Sequence, residues 1–95
     1  MDERVASARF IVRDAFTITK RGTCICGYPE SGVMRTGDEL RWFDGTTNRV
    51  STSLGIEFIR EVPMQDPPTM GVVVNDAVPT DFHEGMVILA FRNDT

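Results

Sequence analysis

The sequence contains one histidine, His83, one tryptophan, Trp42, and two cysteines, Cys24 and Cys26, in 95 residues. A single histidine and two cysteines leave a structural metal centre short of ligands, so no metal and no cofactor is expected. No apolar run approaches the roughly 20 residues needed to span a bilayer. The N-terminal MDERVASARF is polar and acidic and lacks the apolar stretch of a secretory signal. For a complete chain these absences predict a cytoplasmic protein with no membrane association. The phosphate-cradling pattern G-x-x-x-x-G-K-[ST] is missing, and Gly22, Gly27, Gly32 and Gly37 do not match G-x-G-x-x-G, so no nucleotide is expected on this domain. No window carries the 3.6-residue period of a stable amphipathic helix. The only nucleophile–base combination is Cys24 or Cys26 with His83. Mid-strand thiols away from positive charge are inert, so a thiol enzyme is the weakest of the functional readings.

What is present points to one β-rich domain. The length suits a single core spanning about residues 9–91, with polar ends at 1–8 and 92–95. The formal charge of −4 makes the domain repel phosphate on average, which weighs against nucleic acid but leaves room for a local basic patch. Along the chain, Arg9 to Ile18 reads as a first strand, with Asp14-Ala15 breaking the alternation as a bulge would. Thr23 to Tyr28 is the second strand. Pro29, which has no N–H to donate, ends the pairing or lies on an edge. The spaced glycines read as turns and close approaches in a small barrel. Glu39 to Phe43 is a strand, and Asp44-Gly45 has the composition of a two-residue hairpin turn. Thr46 to Arg60 reads as strand, with Leu54, Ile56 and Phe58 on one face and Gly55 as the kink of a barrel corner. The proline-rich stretch 61–69 is a loop. Met70 to Asn75 and Met86 to Phe91 are the last strands, and Asp81 to Glu84 suits one helical turn ended by Gly85. Met64, Met70 and Met86 are expected to fill core gaps.

Two features bear on chemistry. Cys24 and Cys26 share one face of a strand with Cα atoms roughly 6.5–7 Å apart, at or past the reach of a disulfide. Two small buried side chains are the plain reading, with a redox pair or half a metal site as the alternatives. Arg9, Arg13, Lys20 and Arg21 lie in the first hairpin near Phe16, and arginine with aromatic side chains can stack on unpaired bases.

Laid out in order, these residues resemble the second domain of elongation factor Tu and its translational GTPase relatives. The likeness rests on Asp14-Ala15-Phe16-Thr17-Ile18, on Arg21-Gly22-Thr23-Cys24-Ile25-Cys26-Gly27, on Ser31-Gly32 and on Gly37-Asp38-Glu39-Leu40. It continues through Ser53-Leu54-Gly55-Ile56-Glu57-Phe58, Met70-Gly71-Val72-Val73-Val74 and Glu84-Gly85-Met86-Val87-Ile88-Leu89-Ala90. The resemblance implies a six-stranded closed Greek-key β-barrel. In the family this domain helps hold the aminoacylated end of tRNA. Arg13 and Cys26 depart from the family at positions near those contacts, and so does Gln65-Asp66-Pro67-Pro68-Thr69; Lys20 stands where the family has a glycine before Arg-Gly-Thr. The GTPase domain and the third domain have no counterpart in these residues. A non-enzymatic binding or adaptor module for a protein partner is therefore expected. The alternative is RNA or ribosome binding through the first hairpin. In either case the candidate contact residues are Arg13, Phe16, Lys20, Arg21, Gln65 and Asp66.

Overall fold

The structure is a computed structural model that describes residues 5–60 and 62–93. The expected polar ends at residues 1–4 and 94–95, and Glu61 at the start of the proline-rich loop, lie outside the described residues. Seven strands form one antiparallel sheet: β1 (Ala8–Ile18), β2 (Gly22–Gly32), β3 (Glu39–Phe43), β4 (Asn48–Thr52), β5 (Gly55–Phe58), β6 (Met70–Val74) and β7 (Val87–Phe91). Their spatial order is β4-β3-β7-β1-β2-β6-β5. The all-β expectation holds. The strand count is seven rather than six, and the hydrogen-bonded ladder is an open, curled half-barrel rather than a closed one.

The extra strand comes from the run read as Thr46 to Arg60. It pairs with β3 as far as Thr52 and with β6 from Gly55 onward. Ser53-Leu54 carries the change of partner: Ser53 N–H donates to Asp38 O at 2.9 Å, and Leu54 N–H donates to Val73 O at 2.8 Å. The chain therefore passes from one end of the sheet to the other within two residues, which forces the curl. Leu54 and Phe58 are exposed as a result, and only Ile56 packs against the core.

The longest pairing is β1 with β2, and two 11-residue strands reach about 36 Å at roughly 3.3 Å per residue. The bulge anticipated at Asp14-Ala15 falls one residue earlier: Val12 faces Gly27 and Asp14 faces Cys26, which leaves Arg13 as the extra residue. The second strand continues past Pro29 to Gly32. It can do so because β6 covers only Thr23 to Gly27, so beyond that point the proline lies on an open edge. Gly27 is an ordinary strand residue rather than a turn. A Cβ there would come 2.0 Å from Ile11 O, so only glycine allows this approach.

Smaller features also differ from expectation. The loop after β3 is Asp44 to Thr47, longer than two residues. It is organised by Asp44 Oδ1, which accepts from the Thr46 and Thr47 N–H groups at 2.8 Å each. The helical turn is a 3-10 turn at Pro79–Asp81, upstream of the expected Asp81 to Glu84. The expected polar end at residues 1–8 is tied to the sheet by its last two residues: Ser7 N–H donates to Ala90 O at 2.7 Å and Ala8 is buried.

The concave side holds the core. Phe10, Val12, Ile25, Leu40, Val72, Val74 and Ile88 are buried there with Trp42 and Phe82, whose ring centroids are 5.2 Å apart. Met86 belongs to this core and Met70 packs against it, but Met64 is exposed; Met34 takes a core position instead. Among the described residues no helix is long and apolar enough to cross a membrane.

Candidate functional site

The residues singled out in the first hairpin do not form one site. Arg13, Phe16 and Gln65 line a cavity of about 350 Å³ on the convex side, together with Asp14, Cys26, Ile59, Thr69 and Glu84. Lys20 and Arg21 border a different hollow, with Gly22, Leu54 and Val78. Asp66 is exposed in the loop and lines neither.

Arg13 is committed to structure. Being the bulged residue, it leans over the proline-rich loop and donates from Nη1 to Pro67 O at 2.7 Å and to Thr69 Oγ1 at 2.6 Å. Its guanidinium also lies over the Tyr28 ring, 4.4 Å from the centroid. Such contacts to a cation are the strong kind of hydrogen bond, so Arg13 latches the loop to the hairpin. Arg21 is tied to Glu57 on β5. Lys20 sits at the hairpin tip with φ of 67°, in the left-handed region where non-glycine residues are uncommon.

Cys24 and Cys26 are buried thiols on the convex face, with their sulfurs 3.9 Å apart. The hydrogen bond with Cys26 holds the Cys24 thiol below its ordinary pKa; burial and Glu57 oppose it, and Arg21 assists. His83 is exposed and does not line the cavity that Cys26 borders. Among the described residues no three or more His, Cys, Asp or Glu side chains group together as metal ligands would.

A groove of about 490 Å³ lies elsewhere, along the convex face of β4, β3, β7 and β1. Register places its centre. Val50 faces Arg41, Arg41 faces Leu89, and Leu89 faces Arg9, so one row crosses four strands. Directly opposed residues of antiparallel strands project to the same face. The row is therefore Val50, Arg41, Leu89, Arg9, flanked by Phe43, Val87 and Phe91. Phe43 is 59% exposed and Val50 55%. Trp42 and Arg49 border the groove from the concave side of the same edge, with the Arg49 guanidinium 5.8 Å from the Trp42 ring centroid. The arginines have anionic neighbours: Arg9 meets Glu30 at 2.9 Å, Arg41 meets Glu39, and Arg49 lies 3.5 Å from Asp44. Pairs at such partly exposed positions are worth about 0–1 kcal/mol, so an incoming carboxylate can compete for them.

Of these groove residues, sequence reasoning had named only Arg9 for binding. The signal was present in β7, Val87-Ile88-Leu89-Ala90-Phe91, which has no polar residue on either face. In a single curled sheet one face packs on the core and the other should be polar. In the outward row of Val87, Leu89 and Phe91, only Phe91 is buried, so Val87 and Leu89 leave apolar surface on the convex face. No protein-family model matches the chain.

Proposed function

We propose that this protein is a non-enzymatic binding module that holds a protein partner against the β4-β3-β7-β1 face. The observation that carries the proposal is the row Val50, Arg41, Leu89, Arg9 with exposed Phe43 beside it. Aliphatic side chains ringed by arginine suit a partner segment with apolar side chains flanked by carboxylates. They suit single-stranded RNA less well. Base stacking needs open aromatic faces, and here Phe43 is exposed, whereas Phe91 is buried with the Arg41 guanidinium 4.9 Å from its centroid.

The test compares wild type with Leu89→Lys as bait in the native host extract, after nuclease treatment. The expected result is a stoichiometric protein partner retained by wild type and lost by Leu89→Lys, with both baits equally folded. Retention by both would place the contact elsewhere.

The second reading is RNA or ribosome contact through the first hairpin. It is favoured by Lys20 and Arg21 at the tip, bordering a hollow of about 480 Å³. RNA binding at low salt that survives Leu89→Lys but is lost in a Lys20→Glu, Arg21→Glu variant would select it.

A barrel of the translation-factor second-domain type is part of the same proposal. Counting Asn48 to Phe58 as one strand bent at Ser53-Leu54 returns six strands, and the bend joins the two ends of the sheet. The place of the Arg21-Gly22-Thr23 segment, at the β1–β2 turn, supports this reading. In elongation factor Tu the corresponding domain contacts tRNA. Arg13, turned here to the loop, and the proline-rich 62–69 segment support a protein-binding role instead.

A further inference from the structure

We infer that the partner enters the groove as an extended segment lying along β7, with an apolar side chain at the level of Val87 and a carboxylate two residues away, between Arg41 and Arg9. The inference rests on the protein-partner reading of the same face and adds the segment's conformation and its residue pattern.

Register lays the groove out in levels along β7. At Leu89, Arg41 stands on the β3 side and Arg9 on the β1 side. Two residues back, at Val87, the β1 neighbour is Ile11, and the β3–β7 register continued past Arg41 sets Phe43 on the other side. Two residues on, Phe91 is buried under the Arg41 guanidinium, which closes that end. An apolar pocket of Phe43, Val87 and Ile11 thus lies one step from a position flanked by two cations.

Dimensions select the conformation. Arg41 and Arg9 belong to the strands on either side of β7, so their Cα atoms are about 9.6 Å apart. An α-helix with its side chains is about 10–12 Å wide and would ride above both guanidiniums. One extended chain fits between them. The step from Val87 to Leu89 is about 6.6 Å, the same-face repeat of an extended segment, whereas a helix repeats about every 5.4 Å. A segment aligned with β7 also avoids the direction in which the sheet curls.

Charge selects the anchor. The chain carries −4 overall, yet none of the described residues lining the groove is acidic and three are arginine: Arg9, Arg41 and Arg49. Glu30 and Glu39 lie outside the lining and meet Arg9 and Arg41 through Nε. That is one of the five N–H donors of a guanidinium, so each arginine can share a second carboxylate.

The test titrates the whole chain with short blocked peptides of threonine and serine that carry one leucine and one glutamate, followed by amide chemical shifts. With the two residues spaced i and i+2, shifts should centre on Phe43, Val87, Leu89, Arg41 and Arg9. Changing the glutamate to glutamine, or moving it next to the leucine, should weaken binding about fivefold, the scale of two partly exposed ion pairs. In an Arg9→Gln, Arg41→Gln variant the glutamate peptide should fall to the affinity of the glutamine peptide, which itself should bind as it does to wild type. That pattern separates anchoring from a folding defect. Equal affinity for the two spacings, equal affinity for glutamate and glutamine, or no detectable binding would overturn the inference. Tighter binding of a helical peptide with leucines on one face and glutamates beside them would do so too. The Leu89→Lys capture experiment reads the face itself. A partner lost by that variant, with no spacing preference among the peptides, leaves the partner surface standing and removes only the extended segment. A spacing preference with no partner captured counts against the partner reading and not against the groove's selectivity.

Discussion

β6 and β7 are of equal length, lie in the same sheet, and are apolar on both faces, yet their convex faces have different fates. In β6, Val72 and Val74 enter the core while Val73 and Gly71 point outward, and all four are buried. Ile59 lies over Gly71, and the 62–69 segment closes in behind it, held by Arg13. In β7, Ile88 and Ala90 enter the core while outward Val87 and Leu89 remain half-exposed in an open groove. One strand is roofed by its own chain and the other is not. Two wholly apolar strands thus serve folding in one place and leave an open apolar surface in the other.

The sharpest way to break this contrast is to put the same charge on both convex faces. Val73→Lys buries an unpaired ammonium and should cost several kcal/mol, enough to leave the protein largely unfolded. Leu89→Lys should change stability by no more than about 1 kcal/mol, since the ammonium reaches water. Denaturant unfolding of the two variants decides, and comparable losses would show that β7 is covered too.

A smaller effect separates two glycines near Val73. Gly71→Ala pushes a methyl into Cys24 Sγ and Ile59 Cδ1, at 2.5 and 3.2 Å, and should cost about 1–3 kcal/mol. Gly55, opposite Val73 on β5, has open space at its Cβ position and an ordinary φ. Gly55→Ala should be neutral or stabilising by about 0.4–1 kcal/mol, through the unfolded chain's lost freedom. Thermal unfolding of both measures the difference.

The roof itself is tested by Arg13→Ala. Losing the bonds to Pro67 and Thr69 at a half-buried site should cost about 1 kcal/mol. It should make the 62–69 segment the first point of limited proteolysis, whereas cleavage unchanged from wild type would assign the roof to other contacts.

The smallest effect is expected on the far edge, at Asp44. Backbone hydrogen bonds from Thr47 and Thr46, with Arg49, hold its carboxyl below the usual range. A lowered folded-state pKa stabilises above the unfolded value and is lost as pH falls through the folded one. The margin of wild type over Asp44→Ala should therefore be present at neutral pH and shrink in acid, as followed by the melting temperature at each pH.

Much of the fold was legible because local chemistry and tertiary context agreed. The Phe10/Val12 alternation, the Val72 to Val74 run and the Asp44-Gly45 turn signal each identified an element that is present. The run from Thr46 to Arg60 was misread because nothing in Val50-Ser51-Thr52-Ser53 announces a change of partner. That change depends on Asp38, just before β3, and Val73 on β6 arriving from distant parts of the chain. The candidate site was less legible. A cluster of arginines in sequence says nothing of what each guanidinium will reach, and Arg13 and Arg21 found Pro67, Thr69 and Glu57. The groove depends on register between β3, β7 and β1, which only the assembled sheet sets.

The Ser53-Leu54 crossing has a consequence for the protein's life in a crowded solution. An open sheet offers two rims of unpaired backbone, on which strands of other molecules can add. Here both rims belong to one short stretch of chain. Ser51 and Arg49 on β4 reach Asp76, and Ser53 is pinned on either side of its peptide by Gly37 and Asp38. The two end strands themselves offer five residues on one side and four on the other. So short a template at either end is poor nucleation ground for fibrous assembly, and the molecule can expose an apolar face without also offering long end strands for polymerisation.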